Sequence, residues 1–180
     1  MTNLSLNSKD NFEKVLELYS KTVYRLAYAR TGSIHDAEDI LQEVFLRYAK
    51  SEMTFNDENH RKAWLLKVTS NCSKSLVTSS WNKRRTDADI ESGAISGFEP
   101  IRDAADDAEK NSRNMLIRHS VANLPEKYRS VIHLFYYEGM SIEEISNIEE
   151  ISISSVKTRL HRARKILKER LEGVGIDEWD

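Results

Sequence analysis

Apolar positions recur every three or four residues along most of the chain, the signature of amphipathic helices. Phe12, Leu16, Tyr19, Val23 and Leu26 mark a first helix over about residues 10–30, with those five on its core face. Thr31-Gly32-Ser33 ends it, because Gly32 suits the left-handed conformation of a helix stop and Ser33 can cap the next start. A second helix runs from about Ile34 to Lys50, burying Ile40, Leu41, Val44, Phe45 and Tyr48. Met53 to Asn59 is polar and predicts a loop. A third helix covers roughly His60 to Ser80 and ends in basic Lys83-Arg84-Arg85. From Thr86 to about Asp107 the periodicity lapses, and acids, Gly and Pro take over, which predicts a flexible, self-repelling linker. Helices resume near Ala108, and Leu124-Pro125 interrupts them, with Pro125 suited to the first turn of the next helix. Three further helices are expected at about 126–137, 141–148 and 152–171, before a short acidic tail, Gly173–Asp180, that should fray. The expected fold is all-α: two small helical domains, 1–85 and 112–180, joined by an acidic flexible linker, 86–111.

Composition narrows the class. Of 180 residues, 31% are charged, and only six are Gly and two Pro, so a β-sandwich or barrel, with its frequent turns, is excluded. No apolar run approaches the ~20 residues of a membrane span, and the N-terminus lacks the basic start and apolar stretch of a signal peptide. Cys72 is the single cysteine, so neither an internal disulfide nor a cysteine metal cluster is available. These features predict a soluble, cytoplasmic protein with no membrane insertion. The net charge of −2 conceals segregation. From His60 to Arg85 there are seven bases and no acid; from Thr86 to Asn111, eight acids against two bases; from Ile153 to Arg170, seven bases against one acid. Basic blocks on helices are the footprint expected for a polyanion such as DNA, although solvated helix faces are the ordinary alternative.

Between Gly139 and Lys168 the chain reads GMSIEEISNIEEISISSVKTRLHRARKILK. Ser141 and Glu144 form a capping box for a short helix that should bury Ile142, Ile145 and Ile148. Ser152 can cap a longer helix whose Ile153, Val156, Leu160, Ala163 and Leu167 lie on one stripe. Its outer surface carries Ser154, Ser155, Lys157, Thr158, His161, Arg162 and Lys165. This is a helix-turn-helix, whose second helix can enter the major groove. The short hydroxyls allow close approach to base edges, and Lys and Arg supply phosphate and guanine contacts. A bundle hairpin with a solvated basic face is the competing reading.

The chain resembles an RNA polymerase sigma factor of the extracytoplasmic-function (ECF) group of the sigma-70 family. The resemblance rests on SVKTRLHRAR, on LPEKYRSVIHLFYYEGMSIEEIS upstream of it, and on DAEDILQEVFLRYAK and AWLLKVTSNCSKSLV in the N-terminal half. It covers roughly residues 10–85 and 112–171 and implies no catalytic role and no cofactor, since polymerase does the chemistry. It implies that 1–85 bind core RNA polymerase and the promoter −10 element, that the linker threads the polymerase, and that 112–180 bind the −35 element. The extra domains of housekeeping sigma factors are expected to be absent. Two departures stand out. Glu149 and Glu150 occupy the turn where the family usually has an apolar residue and a small one, and a left-handed glutamate costs ~1–2 kcal/mol. Ser75 stands where Asp or Asn is common, and Thr78-Ser79-Ser80 replaces a more basic run.

Site residues come from pattern and resemblance together. Asp39, Gln42, Glu43 and Leu46 lie opposite the core stripe of the second helix; the resemblance makes this acidic-apolar face the dock for the polymerase β′ clamp helices. Trp64, Lys67, Asn71, Lys74 and Ser75 recur at helical spacing on the third helix, and family members hold an unstacked base of the non-template strand there. Asn71 is the leading candidate, because its amide both donates and accepts at a base edge. Lys83, Arg84 and Arg85 suit phosphates. For the −35 element the expected residues are Ser154, Ser155, Lys157, Thr158, Arg159, His161, Arg162 and Lys165. An anti-sigma protein is a further candidate partner. His35-Asp36 lacks the additional ligands of a metal site, and Cys72 lacks a resolving cysteine. A stand-alone helix-turn-helix regulator is the alternative function. A helical hydrolase fares worse for want of a convergent ligand set.

Overall fold

The structure, a computed structural model, describes residues 6–7, 12–84 and 108–172, with side-chain surroundings for 12–76 and 114–172. The expected linker up to 107, Arg85 and the tail from 173 lie outside the described residues. Seven α-helices account for nearly all of the rest: α1 Phe12–Thr31, α2 Ile34–Lys50, α3 Glu58–Arg84, α4 Ala108–Ala122, α5 Glu126–Ile132, α6 Ile142–Glu149 and α7 Ile153–Glu172. Local chemistry fixes the boundaries. Gly32 takes φ +67°, and the Ser33 side chain accepts from the Asp36 N–H at 3.2 Å. Asp57 caps α3 by accepting from the His60 N–H at 2.7 Å. The Ser141–Glu144 capping box forms with both of its bonds, 3.2 and 2.7 Å. Pro125 sits at the cap position of α5, one residue ahead of the first helical turn.

Several expectations are corrected. The stretch 53–59 is not all loop: β1 (Leu6–Asn7) and β2 (Thr54–Phe55) pair antiparallel, Leu6 opposite Phe55. Phe55 is buried against Tyr48 and Trp64, so it belongs to the core. Leu16 and Ile153 are exposed, because each lies at the edge of its stripe and rotates out of the core. Ile142 is half-buried. The helix expected at 126–137 changes character at His133, where His133–Tyr137 form a π-helical turn closed by Glu138 N–H donating to His133 O at 3.1 Å. The extra residue in that turn points Glu138 inward and leaves Tyr136 and Tyr137 exposed.

The two helical regions pack against each other. A first core, built from Val15, Val23, Ala27, Ile40, Val44, Tyr48, Phe55 and Leu65, holds α1–α3 together. A second gathers Leu124, Val131, Leu134, Ile145, Ile148, Val156, Leu160 and Leu167 from the C-terminal half, and it takes in Leu26 of α1 and Leu66 of α3. Neighbouring residues thus serve different cores: Leu65 and Ala27 the first, Leu66 and Leu26 the second. Helices α1 and α3 form a shared wall. Arg129, buried at the junction, donates to the carbonyls of Ala29, Ala122 (2.7 Å) and Leu124 (3.1 Å), stitching α1 to the C-terminal half.

Candidate nucleic-acid interface

Helix α7 begins where the Ser152 hydroxyl accepts from the Ser155 N–H at 3.1 Å. It buries Val156, Leu160, Ala163, Leu167 and Leu171. Ser154, Lys157, Thr158, His161, Arg162 and Lys165 are exposed on the outer side, while Ser155, occupied with the cap, and Arg159 are half-buried. One guanidinium on this face rests on aromatic rings. Arg164 lies over the Phe135 and Tyr136 rings at 5.5 and 5.6 Å and donates from Nε to the Tyr136 hydroxyl at 2.8 Å. The Arg162 hydrogen bond to Tyr128, with Lys127 close to the ring, holds that phenol below its ordinary value despite some opposing desolvation. His161, Arg164, Lys165 and Lys168 line one open groove. Fixed cations leave less rotamer freedom to be lost on binding a phosphate backbone. Arg164 was not among the expected residues. It lies inside the SVKTRLHRAR run, but its aromatic support, 28 residues upstream, is not a local signal.

The basic face of α3 has a different environment. Trp64 is half-buried, edge-on to Tyr48 and Phe55. Lys67 and Ser75 are exposed, and Asn71 and Lys74 are half-buried. The turn of the helix-turn-helix lies against this face. Glu149 is buried and receives Arg30 Nη1 at 2.6 and 2.8 Å and the Ser70 hydroxyl at 3.3 Å, while its carbonyl accepts from Lys74 Nζ at 2.7 Å. Glu150 adopts the left-handed conformation, φ 56°, with its carboxylate 3.7 Å from Lys67 Nζ and 4.0 Å from Lys74 Nζ. A second bridge joins Lys62 to Glu138: Nζ lies 2.9 Å from the Glu138 carbonyl and 3.1 Å from its carboxylate. Burial pushes the Glu138 carboxyl up, but His133 at 3.3 Å and Lys62 outweigh it and hold the group below its ordinary value. Lys83 and Arg84 lie in the last turn of α3, with side chains outside the described set, as is Arg85.

On α2, Asp39, Gln42 and Leu46 are exposed and Glu43 is half-buried, bonded to Arg47 at 2.6 Å. Leu46, 53% exposed, is a large apolar side chain among acids on a helix face that no described element covers. His35 reaches only Asp39, at 3.8 Å, and no group of three His, Cys, Asp or Glu among the described residues could hold a metal ion. Cys72 is buried, and desolvation pushes its thiol up, opposed by Arg47.

Comparison with known proteins settles the family. The model of sigma-70 region 2 matches residues 15–83, and that of sigma-70 region 4 matches 114–167. The chain belongs to the ECF group of sigma-70 family RNA polymerase sigma factors. This sigma factor is 29% identical over 171 residues to the ECF RNA polymerase sigma factor SigW of Bacillus subtilis, covering 92% of this chain and 91% of that one. It is 28% identical to SigM of the same organism, covering 87% and 92%. The sigma factor RpoE of Bartonella quintana, solved in complex with the anti-sigma factor NepR, has the same fold: TM-score 0.71 at 24% identity, covering 93% of this chain and 98% of that one. An ECF sigma factor directs RNA polymerase to promoters and is not an enzyme. Region 2 comprises α1–α3, and region 4 comprises most of α4 through α7. No described helix is long and apolar enough to cross a membrane.

Proposed function

We propose a division of labour between the two regions, acting in the cytoplasm where polymerase works. Residues 1–85 bind core polymerase and the −10 element, and residues 112–180 bind the −35 element. The β′ clamp helices of polymerase dock on Asp39, Gln42, Glu43 and Leu46. Trp64, Lys67, Asn71, Lys74, Ser75, Lys83, Arg84 and Arg85 meet the −10 DNA. Trp64, edge-on to Tyr48 and Phe55, presents at most part of its ring to a base. Ser154, Ser155, Lys157, Thr158, Arg159, His161, Arg162 and Lys165 meet the −35 DNA. The observation that carries this reading is the outer face of α7, where cations and short hydroxyls are exposed opposite a buried stripe. An anti-sigma protein is the third partner, as NepR is for the Bartonella protein.

Reconstituted transcription from a promoter library randomised at −35 tests the α7 assignment. Lys157→Ala, Thr158→Ala, His161→Ala and Arg162→Ala should each lower activity or shift sequence preference, a base-reading pair contributing ~1–3 kcal/mol of discrimination. Unchanged activity and preference in all four would remove α7 as the reader. Asp39→Arg with Leu46→Glu should abolish co-purification with core polymerase at unchanged helicity, and normal recovery would remove α2 as the dock.

A further inference from the structure

The π-helical turn His133–Tyr137 brings aromatic rings to the flank of α7. Such turns are rare and concentrate at functional sites. Here Tyr136 stands 51% exposed, edge-on to Phe135 with ring centroids 5.0 Å apart. The two rings make a shelf under the Arg164 guanidinium, and the Tyr136 hydroxyl accepts its Nε hydrogen bond at 2.8 Å. That contact uses one edge of the guanidinium. Among the described residues no carboxylate pairs with the other edge. Arginines that brace this fold are used differently: Arg129 spends its donors on backbone carbonyls and Arg30 on carboxylates, and both are buried. Arg164 is exposed, pinned in one orientation with donors to spare, on the wall of the groove it shares with His161, Lys165 and Lys168.

We propose that Arg164 is a phosphate clamp for duplex promoter DNA, held in place by Tyr136 on the π-helical turn. This rests on the reading of α7 as the −35 helix and adds a residue to it. A recognition helix meets base edges with its N-terminal residues. Arg164 lies beyond them, toward the C-terminal half of α7, where the helix leaves the groove and passes the backbone. Its Nη groups present a planar pair of N–H donors, which match the oxygens of one phosphodiester. The Tyr136 hydroxyl accepts from Nε and keeps its own proton to donate to the same phosphate. The contact carries no sequence information; it sets the register in which the base-reading residues meet the duplex. Tyr136 acts chiefly through Arg164 and is a positioning residue.

The test uses the full chain and a fluorescein-labelled, short, mixed-sequence DNA duplex titrated across a salt series, with circular-dichroism melting of each variant as the folding check. Arg164→Ala should weaken binding roughly tenfold. It should also make the slope of log affinity against log salt shallower by about 0.9, the loss of one phosphate contact. Base preference in transcription from the library randomised at −35 should not change. Arg164→Gln, which keeps a donor for Tyr136 without the charge, carries the same expectation and replaces the alanine variant if that one misfolds. Tyr136→Phe keeps the ring and the charge but removes the hydroxyl, so binding should weaken by less, at an unchanged slope. Arg170→Ala removes an equal charge from another side of α7, where the guanidinium donates to the Ser120 carbonyl, and should leave the slope as in wild type. Weaker binding at an unchanged slope in Arg164→Ala would make Arg164 a strut of the fold, and a changed base preference would make it a reader; either result overturns the clamp. An equal fall in slope in Arg170→Ala overturns it too, since overall charge would then explain the effect. Wild-type affinity in Tyr136→Phe removes Tyr136 from the device. Lys157→Ala separates the clamp from the reading beneath it. If Lys157→Ala weakens binding and Arg164→Ala does not, the clamp alone fails; if neither does, α7 does not bind DNA and the clamp falls with it.

Discussion

Leu160 tests whether the second core is shared. Its side chain is 2% exposed among Val156, Ala163, Leu167 and the isoleucines of α6, in the cluster that also contains Leu26 and Leu66. Leu160→Ala removes three buried carbons and leaves a cavity, a change that costs about 2.7–5.0 kcal/mol in comparable cores. The resulting fall in melting temperature depends on what unfolds together. If region 4 melts alone, as a unit of roughly 60–100 residues, each kcal/mol lowers the midpoint by about 4–8 °C, so a loss of about 3 kcal/mol gives roughly 12–24 °C. If both regions melt as one unit of roughly 150 residues, the same loss gives about 6–12 °C.

The structure favours the second outcome. Leu26 and Leu66 are fully buried in the C-terminal core, and Arg30 and Glu149 are paired out of solvent, so region 4 cannot unfold without exposing both. Differential scanning calorimetry of the full chain should show one transition, shifted down by about 6–12 °C in Leu160→Ala. Lys157→Ala, on the opposite face, should lie within about 0.5 kcal/mol of wild type. Two transitions in the variant, one of them unmoved, would refute the shared core. A shift below about 3 °C would refute the placement of Leu160 inside it.

Arg30→Met should destabilise the chain by about 3–5 kcal/mol, because it strands the Glu149 carboxylate in a buried site; adding Glu149→Leu should recover most of that, read from urea denaturation midpoints. Glu138 supplies the pH dependence. Its carboxyl is held below the ordinary value of 4.5, so its contribution is fully present above about pH 4.5 and is lost as pH falls through the depressed folded value. The Lys62 bridge between the regions should therefore weaken as pH falls through that depressed value, and Glu138→Gln should flatten the melting temperature–pH curve below about pH 4.5.

Helices were legible because their determinants are local. Apolar spacing, Ser33 with Gly32, and the Ser141–Glu144 box each act within a few residues, and the structure has them where the pattern implied. Phe55 was missed because its burial depends on strand pairing with residues 6–7, nearly fifty positions away, which no window detects. Leu16 and Ile153 were placed inside because periodicity gives the direction of a stripe but not its width. The joining of the halves was invisible for the same reason: Leu26 and Leu66 read as ordinary core positions, and nothing local says which core they serve. Glu149 and Glu150 were visible as departures from a family pattern. Their meaning was not, since Arg30 lies 119 residues from Glu149. The −10 and −35 candidates were legible as charge and spacing, but the placing of the Glu149–Glu150 turn beside Lys67 and Lys74 belongs to tertiary structure.

The apolar and charged parts of the closure do different physical work. Burial of Leu26 and Leu66 is favourable in almost any orientation, because the hydrophobic effect has no direction. A slip of α6 along α3 could keep much of that burial while separating Glu149 from Arg30, and an unpaired buried charge costs about 3–5 kcal/mol. The ion pair therefore fixes the register in which the halves meet more than it adds to their affinity. The two glutamates also differ in how they can be displaced. Lys67 and Lys74 keep 46% and 37% of their side-chain surface exposed, so a phosphate arriving from solvent can replace the Glu150 carboxylate there. The Arg30–Glu149 pair is almost fully enclosed, and no phosphate can reach it while the halves are together. The rim of the contact is thus open to solvent ions, and its centre is not.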